Sequence, residues 1–157
     1  MGSKVYAAML ILAVSAGAAR AQAIDASMGG PGNAAHGEIL FKQRCSTCHV
    51  ADKTGKNGVG PLLYGAYGRV AGKAPGFTYS EGLKTATFTW TPERLNQWIQ
   101  KPTTVVPGVK MFLPPVTQAQ DRADIIAYLA SHSTNVVKAA APAPAAKPAV
   151  KKKAKKS

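Results

Sequence analysis

Cys45-Ser46-Thr47-Cys48-His49 is the stretch on which the reading of this 157-residue chain turns. Two cysteines two residues apart share one helical turn, and a histidine follows directly. A C-x-x-C pair alone is ambiguous between a redox dithiol, a metal clip and a haem attachment site. The adjacent histidine favours the last. Two thiols on one turn can both add to the vinyl groups of a haem, and the His49 imidazole then offers a nitrogen to the iron. The chain has only 2 cysteines, so a multi-disulfide scaffold and a Cys-only zinc site are excluded. A thioredoxin-like dithiol protein also expects strands alternating with helices, and no alternating strand pattern of useful length is present.

Outward from the motif, Asn33 can cap a helix whose Gly37, Leu40, Phe41 and Cys45 recur at three- and four-residue steps. From Val50 to about Trp90 the chain is rich in glycine (Gly55, Gly58, Gly60, Gly65, Gly68, Gly72, Gly76, Gly82). So long a loop in a compact domain needs something to wrap around. Thr91-Pro92-Glu93 reads as a helix start: a Thr cap, Pro at the first helical position and an acid in the first turn. Leu95, Trp98 and Ile99 share its face, and Pro102 is expected to end it. Thr117-Gln118-Ala119-Gln120 has the form of a capping box, followed by Ile125, Tyr128 and Leu129 on one face. The fold class is therefore all-α, with three capped helices bracketing a long Gly-rich loop. The aliphatic content is too thin for a self-sufficient core, which again points to a large apolar guest. There is no internal repeat.

The composition is 46% hydrophobic, 7% aromatic and 17% charged, which excludes a charge-rich disordered chain. The net charge of +13 is unevenly placed. Residues 138–157 hold seven lysines and no acid, whereas residues 24–137 hold all 7 acids and a net charge of only +4. At the other end Lys4 precedes an apolar run from Ala7 to Ala19, too short to span a membrane, and then the small-x-small sites Ala19-Arg20-Ala21 and Ala21-Gln22-Ala23. The expected organisation is a signal peptide over 1–23 cleaved after Ala23, a domain over 24–137, and a disordered Ala/Pro/Lys-rich tail over 138–157. Export then places the protein in the periplasm. The lysine tail has two readings, a contact with anionic membrane and a solvated tail that only aids solubility. Nucleic acid is disfavoured by export and by the lack of aromatics among the lysines.

A low-spin haem needs a second axial ligand. Without residues 1–23 the chain has only Met28 and Met111 as thioethers. Met28 lies in the lead-in before the motif. Met111 sits at a Pro/Gly-punctuated turn, Pro107-Gly108-Val109-Lys110-Met111, and is the stronger candidate. His36 and His132 fall near the outer ends of the terminal helices and are expected to face solvent.

With these motifs in place, residues 33–132 resemble a class I cytochrome c of the mitochondrial and bacterial c2 type. The resemblance implies a fold of three or more helices and long Gly-rich loops around one covalent haem c with its iron. It assigns attachment to Cys45 and Cys48, and axial ligation to His49 and Met111. Gly60-Pro61 matches the family turn whose Pro61 carbonyl holds the other N–H of the His49 ring. Gly68-Arg69 and Ala74-Pro75-Gly76-Phe77-Thr78-Tyr79 match the loop below the haem, which places Arg69, Tyr79 and the Trp90 indole near a propionate. Gly37 and Phe41 match positions that pack on a C-terminal helix at Ile125 and Tyr128. The implied function is a soluble one-electron carrier, a monomer and not an enzyme, passing electrons between redox partner proteins with acidic docking surfaces. The competing function is a haem enzyme or sensor with an open or labile sixth site. Departures from the pattern remove polar groups near the haem: Trp98 stands for a Tyr, Leu83 for an Asn and Val109 for a Thr. Leu113 stands for the Phe two residues after the ligand. Thr103 and Thr104 stand where lysines are common, while Arg44 and Lys110 remain at the expected haem edge, with Lys53 and Lys56 flanking.

Overall fold

The computed structural model describes residues 29–134. The expected signal peptide (1–23), the lead-in with Met28, and the lysine tail (138–157) lie outside the described residues. The described chain runs through α1 (Ala34–Arg44), α2 (Glu81–Lys84), α3 (Pro92–Gln100), α4 (Pro102–Val105) and α5 (Ala119–Ser131). Among the described residues β-structure is limited to one isolated antiparallel bridge, Val70 with Thr89. The all-α expectation holds.

α1 starts where the sequence places it. Asn33 Oδ1 accepts from the N–H of Ala35 at 3.0 Å and of His36 at 3.2 Å, satisfying donors that a helix N-terminus otherwise leaves open. α1 then crosses α5 in the largest helix–helix contact of the fold. Gly37 permits this crossing, because any Cβ there would fall on the Asp124 carbonyl. Beside it the Phe41 and Tyr128 rings pack with centroids 5.2 Å apart. Leu40, Phe41, Ile125, Ile126 and Leu129 are buried around this crossing.

α3 also begins as expected, with Thr91 Oγ1 accepting from the Arg94 N–H at 3.3 Å and Pro92 in the first turn. Pro102 does end α3, but it opens α4 at once: its fixed φ and missing N–H suit a first helical position as well as a stop. The capping box at Thr117 does not form. α5 begins at Ala119, preceded by Gln118 with no side-chain cap bond. The Gln120 side chain, which the motif would turn back to Thr117, is taken elsewhere: Nε2 donates to Asp124 Oδ1 at 2.8 Å, one turn on, and to Pro31 O at 3.2 Å across the fold. A buried carboxylate left short of donors costs more than an open helix end in water, so the glutamine serves Asp124.

His36 is half exposed, as expected, but its Nδ1 meets Asp124 Oδ2 at 2.7 Å. His132 departs from its expectation, with a side chain only 26% exposed. The end of α5 folds onto the loop: the Gly65 N–H donates to the His132 carbonyl at 2.9 Å, and the His132 ring lies 4.3 Å from that of Tyr128.

The Gly-rich stretch is ordered by backbone bonds that close it into a cradle. Gly68 N–H donates to Trp90 O, Trp90 N–H to Arg69 O, and Ala71 N–H to Phe88 O, each at 2.9 Å. Gly72, at φ +70°, lies so close to the Leu83 carbonyl that no side chain would fit.

Candidate haem-binding site

The cradle, α3, α5 and the segment after α4 surround a cavity of about 500 Å³. Cys45, Cys48, His49, Pro61, Arg69, Tyr79, Trp90 and Met111 all line it, so the fold brings the expected cofactor-binding residues to one place, whereas His36 and His132 lie away from it. The remaining wall is largely apolar, built from residues such as Leu83, Leu95, Trp98, Ile99 and Leu129, and no Asp or Glu is among the lining residues.

The motif forms one turn beyond α1. The N–H groups of Cys48 and His49 both donate to the Cys45 carbonyl, at 3.1 and 2.9 Å. His49 Nδ1 is 2.8 Å from the Pro61 carbonyl. A carbonyl only accepts, so Nδ1 carries the proton and Nε2 keeps its lone pair. Burial lowers the pKa of this histidine and the Pro61 bond opposes it; the net shift is downward. The ring is therefore neutral at neutral pH, the form that binds a metal. Gly60 makes room for it, since a Cβ at that position would lie on the imidazole.

Cys45 and Cys48 are not joined to each other by a disulfide. Burial pushes the Cys45 thiol up to about 11, with nearby Arg44 pulling more weakly the other way. A redox dithiol works through a thiol lowered towards neutrality, and the shift at Cys45 runs the other way. Among the described residues there is also no group of three His, Cys, Asp or Glu side chains that could hold a metal ion. One neutral imidazole and one thioether in an apolar cavity suit a metal whose other ligands come from a macrocycle, and the residues fit a haem.

The polar side of the cavity is arranged by Arg69, Tyr79 and Trp90. Arg69 Nη1 donates to Tyr64 O at 3.1 Å and Nη2 to Leu62 O at 3.2 Å. Burial lowers its pKa somewhat, with Tyr79 opposing. Tyr79 Oη accepts from the Ala74 N–H at 3.3 Å, and its ring meets Phe77 edge-on. Trp90 is wedged between Phe88 and Trp98, 4.9 Å from each. Sequence reasoning missed Ser80. Ser80 borders the cavity, and its hydroxyl is buried with no hydrogen-bond partner among the described residues. A serine following Thr78-Tyr79 carries no local signal; only the wall it joins gives it meaning.

An all-α fold closed around an apolar cavity, with a C-x-x-CH turn on its wall, defines a c-type haem protein. The Cytochrome c family profile matches residues 34–133. Cytochrome c of Euglena viridis is 44% identical over 98 residues, covering 62% of this chain and 95% of that protein. Cytochrome c2 of Rhodopila globiformis is 46% identical over 99 residues, covering 63% and 92%. Cytochrome cH from Methylobacterium extorquens has a similar structure, with a TM-score of 0.59 at 42% identity, covering 64% of this chain and 99% of that one. The chain belongs to the cytochrome c family, in its class I form. It is a haem-containing electron carrier with one covalently bound haem c.

Proposed function

We propose that this chain is an exported, monomeric one-electron shuttle whose haem is fixed through Cys45 and Cys48 and ligated by His49 and Met111. When bound, the haem iron supplies reversible one-electron chemistry. The protein's part is to attach, orient and shield. Pro61 holds the His49 ring in the tautomer that frees Nε2. Met111 closes the sixth position, which raises the potential and excludes small molecules. Arg69, Tyr79 and Trp90 would hold the propionate side of the haem. The observation that carries this reading is the joint placement of a neutral, carbonyl-oriented His49 and Met111 on one apolar cavity. The lining offers no carboxylate and no second imidazole for proton transfer at the sixth position, which favours a carrier over an enzyme or sensor with an open iron.

The proposed organisation is a signal peptide over 1–23, the haem domain over 24–137 and an Ala/Pro/Lys-rich tail over 138–157, with the mature protein in the periplasm. Arg44 and Lys110 are exposed at the cavity mouth and suit redox partners with acidic docking surfaces. The tail adds a salt-sensitive attraction to those partners or to anionic membrane.

The test is Met111→Ala. The oxidised wild type should show the weak long-wavelength absorption of sulfur–iron ligation. The variant should lose it, fall in potential and bind cyanide faster. An unchanged spectrum and potential would remove Met111 from the site. Acid–acetone should leave the haem on the chain; free extraction would refute attachment through the cysteines.

A further inference from the structure

Arg122 stands in the first turn of α5 and is only 5% exposed. It forms no ion pair among the described residues. A cation buried without a carboxylate persists only where neutral acceptors surround it. Nε donates to Asn96 Oδ1 on α3 at 2.6 Å, and Nη1 donates to Val116 O at 2.8 Å and Thr117 O at 2.7 Å.

Those two carbonyls belong to the segment that bears Met111. Residues 111–118 are non-helical. Met111 and Leu113 line the cavity half-buried, Phe112 borders it while 92% exposed, and Pro114 is exposed. Pro114 and Pro115 have no N–H to donate. Upstream, Val109 N–H donates to Val106 O at 3.3 Å. Among the described residues, the hydrogen bonds joining residues 111–117 to the rest of the molecule are the two from Arg122.

Resting on the reading of Met111 as the sixth ligand, we infer that Arg122 is the positioning residue that holds the Met111 segment shut, and so sets how often the sulfur leaves the iron. The guanidinium anchors the segment's carboxy-terminal root to α3 through Asn96 and to α5 through its own backbone. Met111 and Leu113 are then left to hold the cavity side by apolar contact alone.

The experiment uses the haem-loaded protein and reads three quantities: the rate of cyanide binding to the oxidised form, the sulfur–iron absorption, and amide hydrogen exchange at residues 111–113. Arg122→Lys keeps the charge but cannot span three acceptors. It should speed cyanide binding by about tenfold or more, the factor expected when hydrogen bonds to a charged group are lost from the closed form alone. Asn96→Ala, which frees the anchor but leaves both carbonyl bonds, should give a smaller increase. His36→Ala weakens the α1–α5 contact instead, and should lower the melting temperature without changing the cyanide rate. The inference is overturned if Arg122→Lys stays within about twofold of wild type, a difference too small for a lost charged hydrogen bond. It is also overturned if His36→Ala matches the increase at an equal loss of melting temperature. Should Arg122→Lys not fold, Asn96→Ala decides: an unchanged cyanide rate and unchanged exchange at residues 111–113 overturn the inference. A wild type without sulfur–iron absorption would refute Met111 ligation. Exchange at residues 111–113 then decides the role of Arg122, with faster exchange in Arg122→Lys supporting it and equal exchange overturning it.

Discussion

Where α1 crosses α5, backbone lies against backbone at Gly37, and a buried carboxylate is fully supplied with donors from Asn33, His36 and Gln120. Where residues 111–117 run past the cavity, a non-helical chain touches the body through a few apolar side chains and one guanidinium. The first region draws its stability from close backbone packing and from satisfied polar groups, with Phe41, Ile125 and Leu129 also lining the cavity. The second is shaped around the guest. In such a protein local opening free energies differ between elements: the helix pair should open only with global unfolding, and the Met111 segment well below it.

The sharpest break to that contrast is Gly37→Val. Its side chain would have to push the Asp124 carbonyl away, and overpacking at a backbone contact should cost about 3 kcal/mol or more. The urea midpoint of the haem-loaded protein measures it, and a midpoint equal to wild type would show that the crossing is loose. Gly60→Ala probes the cavity side. Its methyl would occupy the space of the His49 ring, so the yield of haem-loaded protein should fall and the axial-ligand spectrum change. An unaltered spectrum at full yield would mean that the ring has room to spare.

Asp124→Asn tests the polar half of the helix crossing. Burial raises the Asp124 pKa, but the Asn33 N–H, His36 and Gln120 together outweigh it and hold it below the usual carboxylate range. Folding thus favours the ionised form. Its contribution is complete above about pH 4, the unfolded value, and is lost as pH falls through the lower folded value. The stability gap between wild type and variant should be constant from neutral pH down to about 4 and narrow below it. A gap that instead persists unchanged into strong acid would exclude the charge as its source. The smallest effect belongs to Lys42→Ala. Lys42 and Glu38 form an exposed pair one turn apart at 2.7 Å, and such pairs contribute little in water. Its melting temperature should match that of wild type, and a clear drop would mean that the α1 surface contributes more than its exposure suggests.

What was legible in the residues alone was local. The C-x-x-C-H turn, the Asn33 and Thr91 caps and the Gly-rich loop in need of a guest each lie within one or a few turns of chain, where spacing dictates geometry. The Thr117 capping box was also local, and it does not form because the Gln120 side chain serves Asp124 and Pro31 instead. Arg122 and Ser80 carry no local signal at all in the sequence. Asn33 and Asp124 are 91 residues apart and meet through a backbone N–H, a donor every non-proline residue carries. Which buried acceptor finds which donor depends on where whole helices come to rest. That is set by the total cost of unsatisfied polar groups, and only the tertiary structure decides it.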